Sequence, residues 1–171
     1  AWPGRARSLV LADTASEYSP EARRQLAERA RIAEERGIAP LIEPTLERWF
    51  TPAFRHGQPA EIQRIRSILA GAHPSGYAAS CRAISNADLT ERLVSVAVPT
   101  LVLVGAEDRS TTPEMAMQIH EHLPGSRYEV VPDAAHLTNL AAPELFNQAV
   151  ARAARATSGD SSEPPNDRWA P

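Results

Sequence analysis

Three short apolar runs, each ended by polar residues, constrain the fold of this chain more than any other feature. The runs lie at residues 7–12, 100–104 and 127–131, and their length is typical of buried strands. Apolar residues at helical spacing fill the chain between the first two runs, and one further helix separates the second run from the third. Strands that alternate with helices pair in parallel through right-handed crossovers. The sequence therefore predicts an α/β protein with a sheet of three parallel strands.

Proline, serine and glycine set the predicted ends of the helices. Ser19 and Pro20 begin a helix that Gly37 ends, and Pro59 begins one that Gly71 ends. Further helices are predicted after Pro44, around Tyr77, around Leu89, from Pro113 and from Pro143. We therefore expect a first core strand in residues 1–15, an all-helical lid insertion in 16–95 and a C-terminal α/β core in 96–156. Residues 157–171, rich in Ser, Pro and acidic side chains, are predicted to be a disordered tail.

Composition argues against several classes of function. The 171 residues suit one domain, and their net charge of −3 argues against a nucleic-acid-binding surface. The single cysteine, Cys81, cannot form an internal disulfide, and no apolar run approaches the roughly 20 residues that a membrane-spanning helix needs. We expect a cytoplasmic protein that binds neither nucleic acid nor a membrane.

Two polar side chains follow the second and third predicted strands. Asp108 lies in the turn after residues 100–104, and His136 lies in the loop after residues 127–131. Neighbouring parallel strands are about 4.8 Å apart and end at the same edge of the sheet, so these two side chains can form a hydrogen bond. A carboxylate that orients an imidazole is two-thirds of a Ser-His-Asp triad. Taken singly, Asp108 could instead be a solvated turn acid and His136 a loop histidine bonded to the backbone, and Glu107 is a neighbouring competitor.

Four segments of the chain carry a resemblance to a known family. They are SLVLADTA, EPTLERWFTPAF, PTLVLVGAEDRSTTPE and DAAHLTNL, and the likeness extends over residues 8–153. These segments resemble the α/β-hydrolase superfamily, and more narrowly the 3-oxoadipate enol-lactonases of aromatic-compound catabolism. The resemblance implies the C-terminal part of an α/β-hydrolase sheet with a helical lid, in which Asp108 matches the triad acid and His136 the triad base. It also implies hydrolysis of a small ester or lactone with no metal or organic cofactor.

The sequence departs from this family at the nucleophile. The family's serine occupies a Gly-x-Ser-x-Gly elbow, whereas the nearest match here is Gly159-Asp160-Ser161 with Glu163 at the second glycine position. Cys81 lies within a predicted helix and suits a packed thiol better than a nucleophile. We therefore expect the serine and the oxyanion-hole loop to lie upstream of this chain, and the isolated chain to be inactive.

Because the nucleophile motif is missing, the sequence allows two hypotheses about the function and the partners of this chain. In the first, the chain is part of an ester or lactone hydrolase that pairs with a missing N-terminal half or with a second copy of itself. In the second, it is a truncated, non-catalytic relative that serves as a scaffold or a binding module. An unpaired apolar strand edge favours a partner in either case.

Several side chains in the helical segment are weaker candidates for substrate contacts. Trp49 and Phe50 could contact a small ring compound from the lid, although aromatic residues at such positions more often belong to the core. Arg48, Arg55 and Arg82 could each pair with a carboxylate of the substrate. His120 and His122 do not predict a metal site, because residues two apart on a helix diverge.

Overall fold

The computed structural model describes residues 5–155, so residues 1–4 and the predicted tail at 157–171 lie outside the described part. Three strands, β1 (Leu9–Ala12), β2 (Thr100–Gly105) and β3 (Arg127–Val131), form one parallel sheet in the order β1-β2-β3. This confirms the predicted α/β sheet. β1 begins at Leu9, two residues later than predicted. Leu9 pairs with Thr100, the first residue of β2, and the residue before it, Pro99, has no N–H that could extend the ladder.

Eight α-helices and one 3-10 helix accompany these strands in the described residues. The bounds are α1 Pro20–Arg36, α2 Ala39–Trp49, α3 Pro52–Gly57, α4 Pro59–Ala70, α5 Pro74–Ser85, the 3-10 helix Thr90–Ser95, α6 Pro113–His122, α7 Thr138–Ala141 and α8 Pro143–Arg155. None of these helices combines the length and the apolar character that crossing a bilayer would demand.

The predicted caps explain the ends of α1. The Ser19 hydroxyl accepts a hydrogen bond from the Ala22 N–H at 3.2 Å. At the other end Gly37 has a φ of 76°, which glycine adopts without a steric penalty, and its N–H donates to the Ala33 carbonyl.

The structure corrects three predictions within the helical segment. α2 begins at Ala39, five residues before Pro44, because a buried face that includes Leu41 and Leu46 extends through that proline. Phe50 is extended beyond the end of α2 instead of lying on its face. The predicted helix around Leu89 is the 3-10 helix, and the short helix α3 was not predicted. Outside this segment, the short helix α7 was not predicted either.

The central strand β2 is buried on both faces. Val102 and Val104 pack towards α6, whereas Leu101 and Leu103 pack towards α8. Because side chains alternate along a strand, each face of the sheet is covered by a different helix. This double cover explains why the sequence of β2 is an uninterrupted apolar run.

The helical segment packs in two clusters, and its first and last residues lie close together. One apolar cluster is formed by residues of α1, α2 and α5. A second cluster, formed by residues of α2 and α4, contacts Leu137 and Leu140, which follow His136 in the chain. The Leu89 N–H donates to the Ser16 carbonyl at 2.9 Å, so the two ends of the segment meet. The division of the chain at residues 16 and 95 stays a prediction.

Candidate active site

Asp108 lies in the turn after β2 with its carboxylate fully buried. One oxygen, Oδ1, accepts hydrogen bonds from the backbone N–H groups of Ser110 at 2.7 Å and Thr111 at 3.0 Å. The other oxygen, Oδ2, accepts from the Thr111 hydroxyl at 2.9 Å. These three donors fix the plane of the carboxylate, so the turn presents Oδ2 in one direction.

His136 lies in the loop after β3 and completes the set of donors to this carboxylate. Its Nδ1 lies 2.9 Å from Asp108 Oδ2 and 3.2 Å from the Thr111 hydroxyl oxygen. The structure therefore brings together the two side chains that the sequence placed at neighbouring strand ends. The imidazole is 20% exposed. With Nδ1–H directed at the carboxylate, the neutral ring carries its lone pair on Nε2, which is the position that a proton acceptor needs.

The environment of Asp108 favours its charged form. Burial by itself raises the pKa of this carboxyl, but the hydrogen bond and charge of His136 and the N–H groups of Thr111 and Ser110 lower it below its ordinary value of 3.8. The carboxylate is thus ionised at neutral pH and can stabilise a positive charge on the imidazole.

Asp13, directly after β1, is a second carboxylate at this edge of the sheet, and it is half-buried. Its φ of 49° turns the chain sharply after β1. Its Oδ1 accepts from the Gly105 N–H at 3.2 Å, and its Oδ2 accepts from the N–H and the hydroxyl of Thr138 at 3.1 and 2.7 Å. Asp13 therefore ties the ends of β1 and β2 to the chain that follows His136. Its position directly after a strand, like that of Asp108, is the signal that could have identified it.

Burial raises the pKa of Asp13 above 3.8, and the nearby Asp108 charge adds to this effect, although the Thr138 hydrogen bonds oppose it. The two carboxylates of this edge consequently have pKa shifts in opposite directions. Asp108, which contacts His136, is the one that the structure favours as an anion.

Gly105 allows the loop that carries His136 to approach β2 closely. A Cβ at this position would lie 2.2 Å from the Ala135 carbonyl oxygen and 2.5 Å from that of Ala134. The Glu107 N–H also donates to the Ala134 carbonyl at 2.9 Å. The close approach therefore depends on the absence of a side chain at residue 105.

The two aromatic candidates, Trp49 and Phe50, have different surroundings in the structure. The Trp49 ring packs against the His136 ring with a centroid separation of 5.9 Å. Phe50 is 1% exposed and stacks on Phe54 at 5.0 Å inside the α2–α4 cluster. Trp49 therefore lies beside His136, whereas Phe50 belongs to the core of the helical segment.

The remaining candidates have diverse surroundings. Arg82 makes a two-point contact with the Glu34 carboxylate, and Arg55 lies 4.0 Å from Glu47. Arg48 has no carboxylate partner within the described residues and borders a small cavity that also contacts Ala135. Cys81 is buried in the cluster of α1, α2 and α5. Within residues 5–155, no group of three or more His, Cys, Asp and Glu side chains is arranged to hold a metal ion.

No protein-family model matches the chain. The chain is 34% identical over 149 residues to 3-oxoadipate enol-lactonase 2 of Acinetobacter baylyi, a match that covers 87% of this chain and 55% of that protein. Among solved structures, the enol-lactonase of Burkholderia xenovorans is 30% identical with a TM-score of 0.83, covering 88% of this chain and 57% of that one. A thermophilic esterase of Thermogutta terrifontis is 31% identical with a TM-score of 0.81, covering 90% and 57%.

The chain thus spans little more than half the length of these relatives, and the part it matches is their C-terminal portion. Enol-lactonases are therefore similar to this chain both in sequence and in fold. The chain is an α/β hydrolase in fold, and in sequence it resembles the 3-oxoadipate enol-lactonases.

Proposed function

We propose that this chain supplies the acid and the base of a Ser-His-Asp hydrolase that acts on a small ester or lactone, most specifically 3-oxoadipate enol-lactone. The observation that carries the proposal is the 2.9 Å contact between Asp108 Oδ2 and His136 Nδ1 at the carboxyl edge of the sheet. The resemblance to proteins named enol-lactonase supports the choice of substrate.

In this reaction His136 moves the proton and Asp108 holds the ring. The His136 Nε2 accepts the proton of a serine hydroxyl as the serine oxygen attacks the lactone carbonyl carbon, and the carbonyl π electrons move to its oxygen. When the carbonyl reforms, the ring C–O bond breaks and the imidazolium returns a proton to the departing enolate oxygen. His136 then takes a proton from a water molecule, whose oxygen attacks the acyl carbon. The bond from that carbon to the serine oxygen breaks, the imidazolium returns the proton to the serine, and the acyl group leaves as a carboxylic acid.

The serine of this mechanism is proposed to come from sequence outside this chain. The 171 residues contain no Gly-x-Ser-x-Gly elbow, and the curated relative is only 55% covered by the match. The partner proposed to supply this serine is the N-terminal half of the hydrolase. A second copy of this chain has no such elbow either, so it could only pair with the free edge of β1 in the described sheet.

The absence of the elbow motif also supports a second function. A chain that keeps the sheet edge and the helical segment but has no nucleophile could serve as a binding module or a scaffold. The two proposals differ in one measurable respect, because only the first requires Asp108 and His136 to contribute to turnover.

Turnover of a fusion protein tests the first proposal. The N-terminal portion of the Acinetobacter baylyi enol-lactonase that the match leaves uncovered would be joined to this chain, and enol-lactone and p-nitrophenyl acetate would be the substrates. We expect hydrolysis by the fusion and none by the chain alone. His136→Ala is expected to reduce kcat by about 10⁶.

Two matched variants make the assignment specific. His56 is an exposed histidine of α3, and Glu107 is the exposed acidic neighbour of Asp108. We expect His56→Ala and Glu107→Gln to retain the kcat of the fusion. A folded fusion without turnover would favour the scaffold function. Hydrolysis by the chain alone that is lost in His136→Ala would show that the nucleophile lies within these residues.

A further inference from the structure

The Asp13 carboxylate contacts the two segments that carry Asp108 and His136. Its Oδ1 accepts a hydrogen bond from the N–H of Gly105, three residues before Asp108, at 3.2 Å. Its Oδ2 accepts from the N–H and the hydroxyl of Thr138, two residues after His136, at 3.1 and 2.7 Å. One side chain therefore links the two turns whose relative position determines the distance between Asp108 and His136.

The hydrogen bond to Gly105 fixes the end of β2, where the Asp108 turn begins. The Asp13 N–H donates to the Leu103 carbonyl at 2.9 Å, as in a continuing parallel ladder. In such a ladder the carbonyl of the same residue would accept from the N–H two residues further along, which is that of Gly105. The chain turns at Asp13 with a φ of 49°, and the Gly105 N–H donates to the side-chain Oδ1 instead.

The hydrogen bonds to Thr138 fix the chain on the far side of His136. On the near side, the Glu107 N–H donates to the Ala134 carbonyl at 2.9 Å, which ties the loop to the turn after β2. On the far side, Thr138 is fully buried, and both of its donors bond to Asp13 Oδ2. The loop is therefore held on both sides of the imidazole, and Asp13 supplies the second of these anchors.

The carboxylate of Asp13 occupies this position at a cost. Partial burial raises its pKa, and the charge of Asp108 adds to this effect. Glycine would adopt the φ of 49° without a steric penalty and would bring no second negative charge to this edge of the sheet. A residue that only had to turn the chain would not need the carboxylate, so its hydrogen bonds are the feature that requires explanation.

We propose that Asp13 is a positioning residue that keeps the His136 imidazole against the Asp108 carboxylate. The His136 proton is thereby held on Nδ1, and Nε2 stays available to accept a proton. This inference rests on the proposed hydrolase function and adds to its site a residue that acts through Gly105 and Thr138.

The tautomer of His136 in this chain tests the proposal without requiring turnover. Nitrogen-15 NMR at alkaline pH, where imidazoles are neutral, distinguishes a proton on Nδ1 from one on Nε2, and His136→Gln identifies the resonances. We expect the Nδ1–H form in the parent chain. Asp13→Gly keeps the turn but removes the carboxylate, and we expect it to raise the Nε2–H fraction roughly threefold or more.

The Thr138 hydroxyl provides a second pair of variants. Thr138→Val removes the hydroxyl that donates to Asp13, and we expect it to raise the Nε2–H fraction of His136 in the same direction. Thr138→Ser keeps the hydroxyl and is expected to retain the tautomer of the parent chain. In the fusion protein, Asp13→Gly is expected to lower kcat about tenfold or more while KM stays within about twofold, because the proposed role concerns proton transfer and not substrate binding.

Asp133→Gly is the matched control, because Asp133 is exposed, precedes His136 in the same loop and has a similar φ of 55°. We expect it to keep the parent tautomer, and circular dichroism verifies that each variant is folded. A folded Asp13→Gly with the parent tautomer would show that Asp13 only turns the chain, which would overturn the proposal and leave the hydrolase function standing. If Asp13→Gly did not fold, equal tautomers in Thr138→Val and Thr138→Ser would overturn it. The expected tautomer shift in this chain, together with a folded fusion protein without turnover, would overturn the hydrolase function instead.

Discussion

Gly105→Ala tests whether the close approach of the His136 loop to β2 is needed for the contact between Asp108 and His136. The new Cβ would lie 2.2 Å from the Ala135 oxygen, whereas ordinary contact begins at 3.4 Å. Both nearest obstacles are backbone carbonyls, so no side-chain rotation can relieve the overlap. The loop or the strand must therefore move by about 1 Å, an overpacking cost of roughly 1–3 kcal/mol, and we expect the upper end of that range.

A movement of this size also affects the hydrogen bond beside it. His136 immediately follows Ala135, and its Nδ1 lies 2.9 Å from Asp108. Displacing residue 135 away from β2 lengthens this contact, so we expect the variant to lose both stability and the hydrogen bond between Asp108 and His136. A loss of about 3 kcal/mol corresponds to a fall in the unfolding midpoint of roughly 6–12 °C for a domain of this size.

Urea and thermal unfolding followed by circular dichroism measure the effect, and the indole N–H resonance of Trp49 reports on the His136 environment. Gly76→Ala is the control, because Gly76 lies within α5 and its new Cβ meets nothing within 4 Å. We expect this control to gain roughly 0.5–1 kcal/mol from helix propensity. If Gly105→Ala unfolded at the same midpoint as the parent chain with an unshifted indole resonance, the steric argument would be wrong.

Three further outcomes follow from the carboxylates. Asp108→Asn in the fusion protein is expected to lower kcat about 10⁴-fold, because the amide no longer holds His136 in the required tautomer; a loss below tenfold in a steady-state assay would contradict this. Because the pKa of Asp108 is lowered, its contribution to the free energy of unfolding is present above pH 3.8 and lost as pH falls below it, so Asp108→Asn should flatten that acid limb. Because the pKa of Asp13 is raised, its protonated form is favoured by folding, and stability falls as pH rises from 3.8 through the folded pKa. The parent chain is therefore expected to exceed Asp13→Asn in free energy of unfolding, measured with urea, by less at pH 7 than at pH 4. A larger difference at pH 7 would show that folding does not raise the pKa of Asp13.

Local patterns in the sequence predicted the sheet and the contact between Asp108 and His136. The three strands, the Ser19 cap, the Gly37 end and the contact of Asp108 with His136 all follow from short-range periodicity and from the shared edge of parallel strands. The predicted start of α2 was wrong because burial of its apolar face outweighs the helix-breaking effect of Pro44. The catalytic assignment of the pair is still a prediction.

Side chains that act across distant elements could not be predicted in this way. Asp13 and Thr138 are separated by most of the chain, and nothing in the local pattern near either one specifies their hydrogen bond. Trp49 and Phe50 are neighbours in sequence, but only their packing decides that one faces His136 and the other enters the core.

The sequence by itself determined which segments become strands and which polar residues end them, because strand length, capping and turn chemistry act over a few residues. Only the tertiary structure decided that Gly105 must lack a side chain and that the Asp13 carboxylate bonds to Thr138. The physical reason is that steric overlap and charge balance depend on distances between segments, and folding sets those distances.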